Sequence, residues 1–162
     1  MAVRGNAVAD AQRHTPDSVT ISATLAAVVG GGTLLGLAYL SAPMFDPTAS
    51  AQFSAIVWSL AVVQVSTGVL LLVGARRFLT GAGRGVLFAG IAMEFLLCAA
   101  YGWYAVTAIA GDPQDGGVFF IFIGVPCGTT AMTAASLILA LRPSATAYVS
   151  STNQQDPVVS RR

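Results

Sequence analysis

The sequence predicts an all-α membrane protein: four transmembrane helices in two antiparallel hairpins, with both termini cytoplasmic. Three observations carry that prediction. Four long apolar runs fill most of the 162 residues, and the only formal charge inside them is Glu94. Charged residues make up 9% of the chain, where a soluble domain carries roughly 25%, and mean hydropathy is +0.73. All eight arginines lie outside the runs and on one side of them. The apolar excess is therefore a surface meant for lipid rather than an oversized core. The chain has no lysine and abundant Ala, Gly and Val. This composition fits a high-GC bacterial genome and places the protein in the inner (plasma) membrane.

Residues 1–18 form a polar arm with Arg4, Asp10, Arg13, His14 and Asp17, and Pro16-Asp17-Ser18 suits the start of a helix. The apolar runs follow at 19–40, 53–75, 85–110 and 118–141. At 1.5 Å per residue each spans roughly 33–39 Å, enough to cross a hydrocarbon core of about 30 Å with some tilt. The first run is about twice the length of a signal-peptide core and reads as an uncleaved span. None of the runs alternates at a period of two, which excludes barrel strands. Short connections carry Pro43, Asp46 and Pro47, then Gly81 and Gly83 among Arg76, Arg77 and Arg84, then Asp112-Pro113. Together the spans make a bundle over 19–142. Residues 143–162, rich in Ser, Thr, Asn and Gln, predict a disordered cytoplasmic tail.

Charge sets the orientation. The arm, the 76–84 loop and the tail hold eight arginines against Asp10, Asp17 and Asp156, a balance of +5. The other two loops hold Asp46, Asp112 and Asp115, a balance of −3. The positive-inside rule puts the arginine side in the cytoplasm. Tyr39, Trp58, Tyr101, Trp103, Tyr104, Phe119 and Phe120 gather toward the opposite ends of the spans, at headgroup level. The single histidine lies in the arm, and Cys98 and Cys127 form no CxxC pair. No paired-histidine haem site, zinc spacing, disulfide framework or nucleotide motif is present. No metal, cofactor or nucleic acid is expected.

Glu94 sits about 13 Å above the start of its span, near mid-bilayer. An ionised carboxylate there costs at least ~2.5 kcal/mol, so burial favours the neutral acid. Helical phase puts Gly90, Ile91, Leu97, Cys98 and Tyr101 on the side of Glu94, and Trp103, Phe88 and Leu96 broadly opposite. Glu94 therefore faces the bundle. Depth counting names Gln64 and Thr67 of the second span and Thr130 and Thr133 of the fourth as its polar layer, the latter two within a fourth-span stripe that also holds Pro126, Thr129 and Ser136. On the first span Gly30-Gly31-Gly32 reaches this depth and offers backbone alone. Gly32-x-x-x-Gly36 and Gly124-x-x-x-Gly128 are close-packing motifs, used within the bundle or between copies. Pro126 predicts a kink near Phe122. Cys98 and Cys127 fall at similar depth and read as buried thiols that fill space. The arginine loop sets topology and is a candidate for anionic headgroups.

Two functions fit. The first is a non-catalytic accessory or scaffold subunit, docked on a larger membrane complex or on itself. Its basis is the scarcity of chemistry and the small-residue faces. The second is an oligomeric, proton-linked small-molecule transporter or channel that uses Glu94. An enzyme is not expected, because no second acid or base inside the bilayer shares the work with Glu94.

Overall fold

The structure, a computed structural model, describes residues 15–44, 51–104, 106 and 116–155. Five helices make up these residues, and no strand occurs among them. They are α1 (Asp17–Met44), α2 (Ala51–Leu79), α3 (Gly85–Tyr104), α4 (Gly116–Ala140) and α5 (Pro143–Gln155). The expectations for His14 and the arm, Asp46-Pro47, Asp112-Pro113, Asp115 and the tail beyond Gln155 lie outside the described residues. So do those for the side chains of Tyr39, Tyr104, Phe119 and Phe120.

Stretches of α1, α2 and α3 are each long and apolar enough to cross a membrane. The end of α4 makes a fourth candidate when joined to α5 across a 62° bend. Large apolar side chains point outward along these helices. Leu35 is 76% exposed, Trp103 74% and Leu96 66%, values suited to lipid rather than water. Phe88 departs from the lipid face assigned to it. It is half-buried beneath Arg84, whose guanidinium carbon lies 5.8 Å from the ring centre.

Small residues set the closest approaches. A Cβ at Gly30 would lie 3.0 Å from the Gly68 carbonyl and 3.0 Å from Leu71 Cβ. One at Gly90 would lie 3.0 Å from the Leu71 amide nitrogen, and one at Gly74 only 2.6 Å from Leu87 Cα. Gly30, Leu71 and Gly90 thus share one layer. Around and below it, toward the arginine-bearing end, the core is apolar: Val19, Ala26, Leu71, Phe78, Leu87 and Ile91. A pair of serines ties α1 to α4 there. Ser22 Oγ donates to the Ser136 carbonyl at 2.8 Å, and Ser136 Oγ donates to the Ser22 carbonyl at 3.0 Å. Each hydroxyl satisfies a need that lipid leaves open. Ser22→Ala and Ser136→Ala should each lower stability by about 0.6–1.7 kcal/mol, with clear coupling in a double-mutant cycle. Strictly additive losses would show that the two do not act as a pair.

The α2–α3 turn follows from its glycines. Gly81 has φ 71°, Ala82 N–H donates to the Arg77 carbonyl at 2.9 Å, and Gly81 N–H donates to the Phe78 carbonyl at 3.1 Å. This is a Schellman ending, which needs a left-handed residue at Gly81. The tail differs from expectation at this end. Where an irregular segment was predicted, α5 runs from Pro143, a residue suited to the first helical position. Its Ala145 and Val149 are buried one turn apart against the core. Tyr148 Oη donates to the Leu79 carbonyl at 2.7 Å, and Ser18 and Ser144 hydroxyls lie 3.0 Å apart. Composition alone missed this helix because the stabilisation comes from docking, not from propensity.

Arg84 joins the same junction. Its Nη1 donates to the Ala140 carbonyl at 3.1 Å and to Thr146 Oγ1 at 3.0 Å. A cation over the last carbonyls of α4 opposes the negative end of that helix. Arg84→Ala should release α5, read as faster amide exchange over 143–152 with α1–α3 unchanged. Unaltered exchange would show that Tyr148 and the apolar face hold α5 without it.

Candidate functional site

One turn beyond the Gly30–Leu71–Gly90 layer, polar side chains from all four long helices meet. Glu94 of α3 is at the centre and is 3% exposed. Thr33 Oγ1 of α1 lies 3.2 Å from Glu94 Oε2 and 2.9 Å from the Val29 carbonyl. Cys98 Sγ, one turn along α3, lies 3.7 Å from Glu94 Oε1 and 3.3 Å from Thr129 Oγ1 of α4. Thr129 in turn donates to the Pro126 carbonyl at 3.1 Å. From α2, Gln64 Nε2 donates to the Thr33 carbonyl at 2.6 Å, and Gln64 Oε1 accepts from Tyr101 Oη at 2.7 Å.

The hydrogens in this network are few. Thr33 has one, and it faces two acceptors, of which the Val29 carbonyl is nearer. Thr129 directs its own toward Pro126. Among the described residues no arginine stands beside Glu94; Arg84 is bound at the far end of the bundle. Glu94 is thus met by the Thr33 and Thr129 hydroxyls and the Cys98 thiol and, among the described residues, by no cation.

A cavity of about 140 Å³ adjoins these groups. Glu94, Thr33, Gln64, Tyr101 and Thr129 supply its polar wall, and Leu97 and Val125 part of its apolar one. Gly32 and Gly36 form its α1 side. Gly36 has a specific role, because a Cβ there would lie 2.7 Å from Gln64 Nε2. Only a glycine leaves the Gln64 amide free to reach the Thr33 carbonyl. The volume is enough for several waters, and the lining gives them partners.

The predicted layer is thus brought together only in part. Gln64 and Glu94 share the cavity, although no direct bond joins them. Thr67 is fully buried, but its hydroxyl donates to the Val63 carbonyl of its own helix at 2.8 Å. Thr133 is buried too and donates to the Thr129 carbonyl at 2.7 Å. Thr130 is half-buried, hydrogen-bonds Cys98 and lines the groove between α3 and α4 rather than the cavity. Thr33, Cys98, Thr129 and Tyr101 take their places. Thr33 was missed because depth was counted from the ends of the spans. Register is instead set by the Gly30–Gly68 and Gly90–Leu71 contacts, and the threonine hydroxyl turns back one turn toward Val29. Gly32, Gly124 and Gly128 have open space where a Cβ would lie, so they make no close packing within the bundle. Helix α4 is continuous through Pro126, which lines the cavity. Cys98 is half-buried, whereas Cys127 is exposed rather than buried, and both are free thiols.

Among the described residues no group of three His, Cys, Asp or Glu side chains is placed to hold a metal. No buried side-chain polar atom there lacks a partner. No protein-family model matches this chain, and no curated protein and no solved structure matches it either.

Proposed function

We propose that this chain is a four-span membrane protein that binds a small hydrogen-bonding ligand at a protonated Glu94. The observation that carries the reading is the cavity of about 140 Å³ against that carboxyl. A polar layer serving only to tie helices together would close on itself. Here the hydroxyls of Thr67 and Thr133 do close onto their own helices, while Glu94 is left facing space. A neutral acid suits a site where, among the described residues, no cation stands beside Glu94 and the Thr33 hydroxyl donates to Oε2 at 3.2 Å. In this reading the four long helices form two antiparallel hairpins. The grouping of Arg76, Arg77, Arg84 and Arg142 with α5 at one end supports a cytoplasmic side there and both termini inside. A bacterial inner membrane is the setting that the composition favours.

The test is infrared difference spectroscopy of wild type against Glu94→Gln in lipid vesicles. A protonated carboxyl band that shifts promptly in heavy water is expected, and it should vanish in the variant. A band that does not exchange means a sealed structural acid and ends this reading.

The accessory-subunit reading keeps one observation of its own. The Gly124 and Gly128 face of α4 is exposed and unoccupied within the bundle. Gly128→Leu should leave the monomer folded and abolish association if that face docks on a partner. A co-purifying complex unchanged by Gly128→Leu counts against that docking face.

A further inference from the structure

The Glu94 cavity shares two lining residues with a groove on the outer face of the bundle. This larger groove, of about 650 Å³, lies between α3 and α4. Phe95, Ala99 and Gly102 line it from α3, and Cys127, Ala131 and Ala134 from α4. Cys98 and Pro126 line both the groove and the cavity. Building on the ligand site at Glu94, we infer that its ligand is a single-chain, lipid-soluble molecule with a neutral hydroxyl- or carbonyl-type head. The head occupies the Glu94 cavity, and the chain lies in the α3–α4 groove and arrives laterally from the bilayer.

Three features define that class. The first is polarity. The groove is lined by carbon-rich, mostly small side chains, whereas the cavity has Glu94, Thr33, Gln64, Tyr101 and Thr129. A ligand filling both must be apolar at one end and hydrogen-bonding at the other. The second is charge. A protonated carboxyl both donates to and accepts from a hydroxyl or carbonyl, and among the described residues no cation stands beside it to balance an anionic head. A phosphate head would need an arginine. The described arginines Arg76, Arg77, Arg84 and Arg142 lie instead at the far end, next to the helix termini and the α4–α5 junction. The third is size. The groove falls within the roughly 300–1,000 Å³ of small-molecule sites, while the cavity takes only a small head.

The composition of the groove follows the same logic. A Cβ at Gly102 would meet nothing within 4 Å, and Ala99 and Ala131 are exposed. Leaving them small keeps a channel between α3 and α4 that an acyl or isoprenoid-like chain can occupy by dispersion contacts.

The test uses a long-chain primary alcohol bearing a mid-chain diazirine, photolysed in vesicles containing the intact protein. Labelled peptides should come from the facing sides of α3 and α4, and excess unlabelled alcohol should suppress them. Labelling should fall roughly tenfold in Ala131→Trp and in Ala99→Trp, equivalent to about 1.4 kcal/mol of binding. Both residues are exposed, so the added ring fills the groove without entering the core. Glu94→Leu should give a similar loss by removing the head's partner. The infrared exchange of Glu94 should persist in both tryptophan variants. Exchange that persists while labelling is spread over all lipid-facing helices, or is not competed, overturns the lipid-chain ligand and leaves the cavity reading intact. The matching long-chain amine labelling as strongly as the alcohol overturns the neutral head. Loss of exchange in the wild type removes the ligand site itself.

Discussion

Gly74→Ala should lower the unfolding free energy by about 2–3 kcal/mol, although alanine is the better helix former by about 1 kcal/mol. The added methyl would lie 2.6 Å from Leu87 Cα and 2.7 Å from Leu87 N. Both are backbone atoms of a neighbouring helix and cannot rotate away. The whole α2–α3 contact must open, and the dispersion contacts around it weaken with it. Gly31→Ala is the matched control, because a Cβ there meets nothing within 4 Å. It should be neutral or slightly stabilising. Denaturant unfolding in mixed micelles or steric trapping in bilayers measures both. Equal stability of the two variants would mean that α2 and α3 are not packed at this distance.

The second large effect is at Glu94, where charge and polarity separate cleanly. Glu94→Gln keeps the size and the hydrogen-bonding capacity of a neutral acid, and its stability should stay within about 0.5 kcal/mol of wild type. Glu94→Lys places an unpaired cation among Thr33, Cys98 and Thr129. On insertion scales a lysine at the centre of a span costs about 2.5–3.5 kcal/mol. Loss of most folded protein from the membrane is the expected outcome, read as the folded fraction after mild solubilisation. A lysine variant as stable as the glutamine variant would show that the cavity solvates a full charge. The pocket would then be an open aqueous cleft instead of a small polar enclosure.

Much of the site was legible from the chain alone, for a definable reason. Glu94 is the one charge within the apolar runs, and a 3.6-residue period is enough to turn it toward Cys98 and Tyr101 and away from Trp103. Depth also selects Gln64, whose amide reaches the Thr33 carbonyl and Tyr101. Thr67 and Thr133 were named on the same grounds and do not join. A threonine in a helix can satisfy its hydroxyl on a carbonyl one turn back, so its presence at the right depth does not oblige it to reach across. Thr33 does both. Its hydroxyl contacts Val29 and Glu94, and its carbonyl accepts from Gln64. No periodicity identifies that residue, which follows three glycines in a helix that otherwise seemed to offer only backbone.

The glycines divide in the same way. Their abundance marks close-packed helices, and two GxxxG motifs are visible by eye. The structure uses Gly30, Gly68, Gly74 and Gly90 for close approach, and Gly32 and Gly36 for the cavity wall. A motif records that two small residues share a face. It does not record whether that face meets a helix, a cavity or lipid.

What the sequence by itself determined is the solvent of this protein and the element that answers it. Apolar runs with one internal charge must be helical, because lipid leaves no other way to satisfy the backbone, and arginines kept to one side mark the ends of those helices. What only the tertiary structure decided is register: which turn of α1 stands beside which turn of α3. That depends on where backbones can come closest, at Gly30–Gly68, Gly90–Leu71 and Gly74–Leu87. These contacts are between residues distant in the chain, so no local pattern encodes them. Through them Thr33 rather than Thr67 meets Glu94, and space is left beside it.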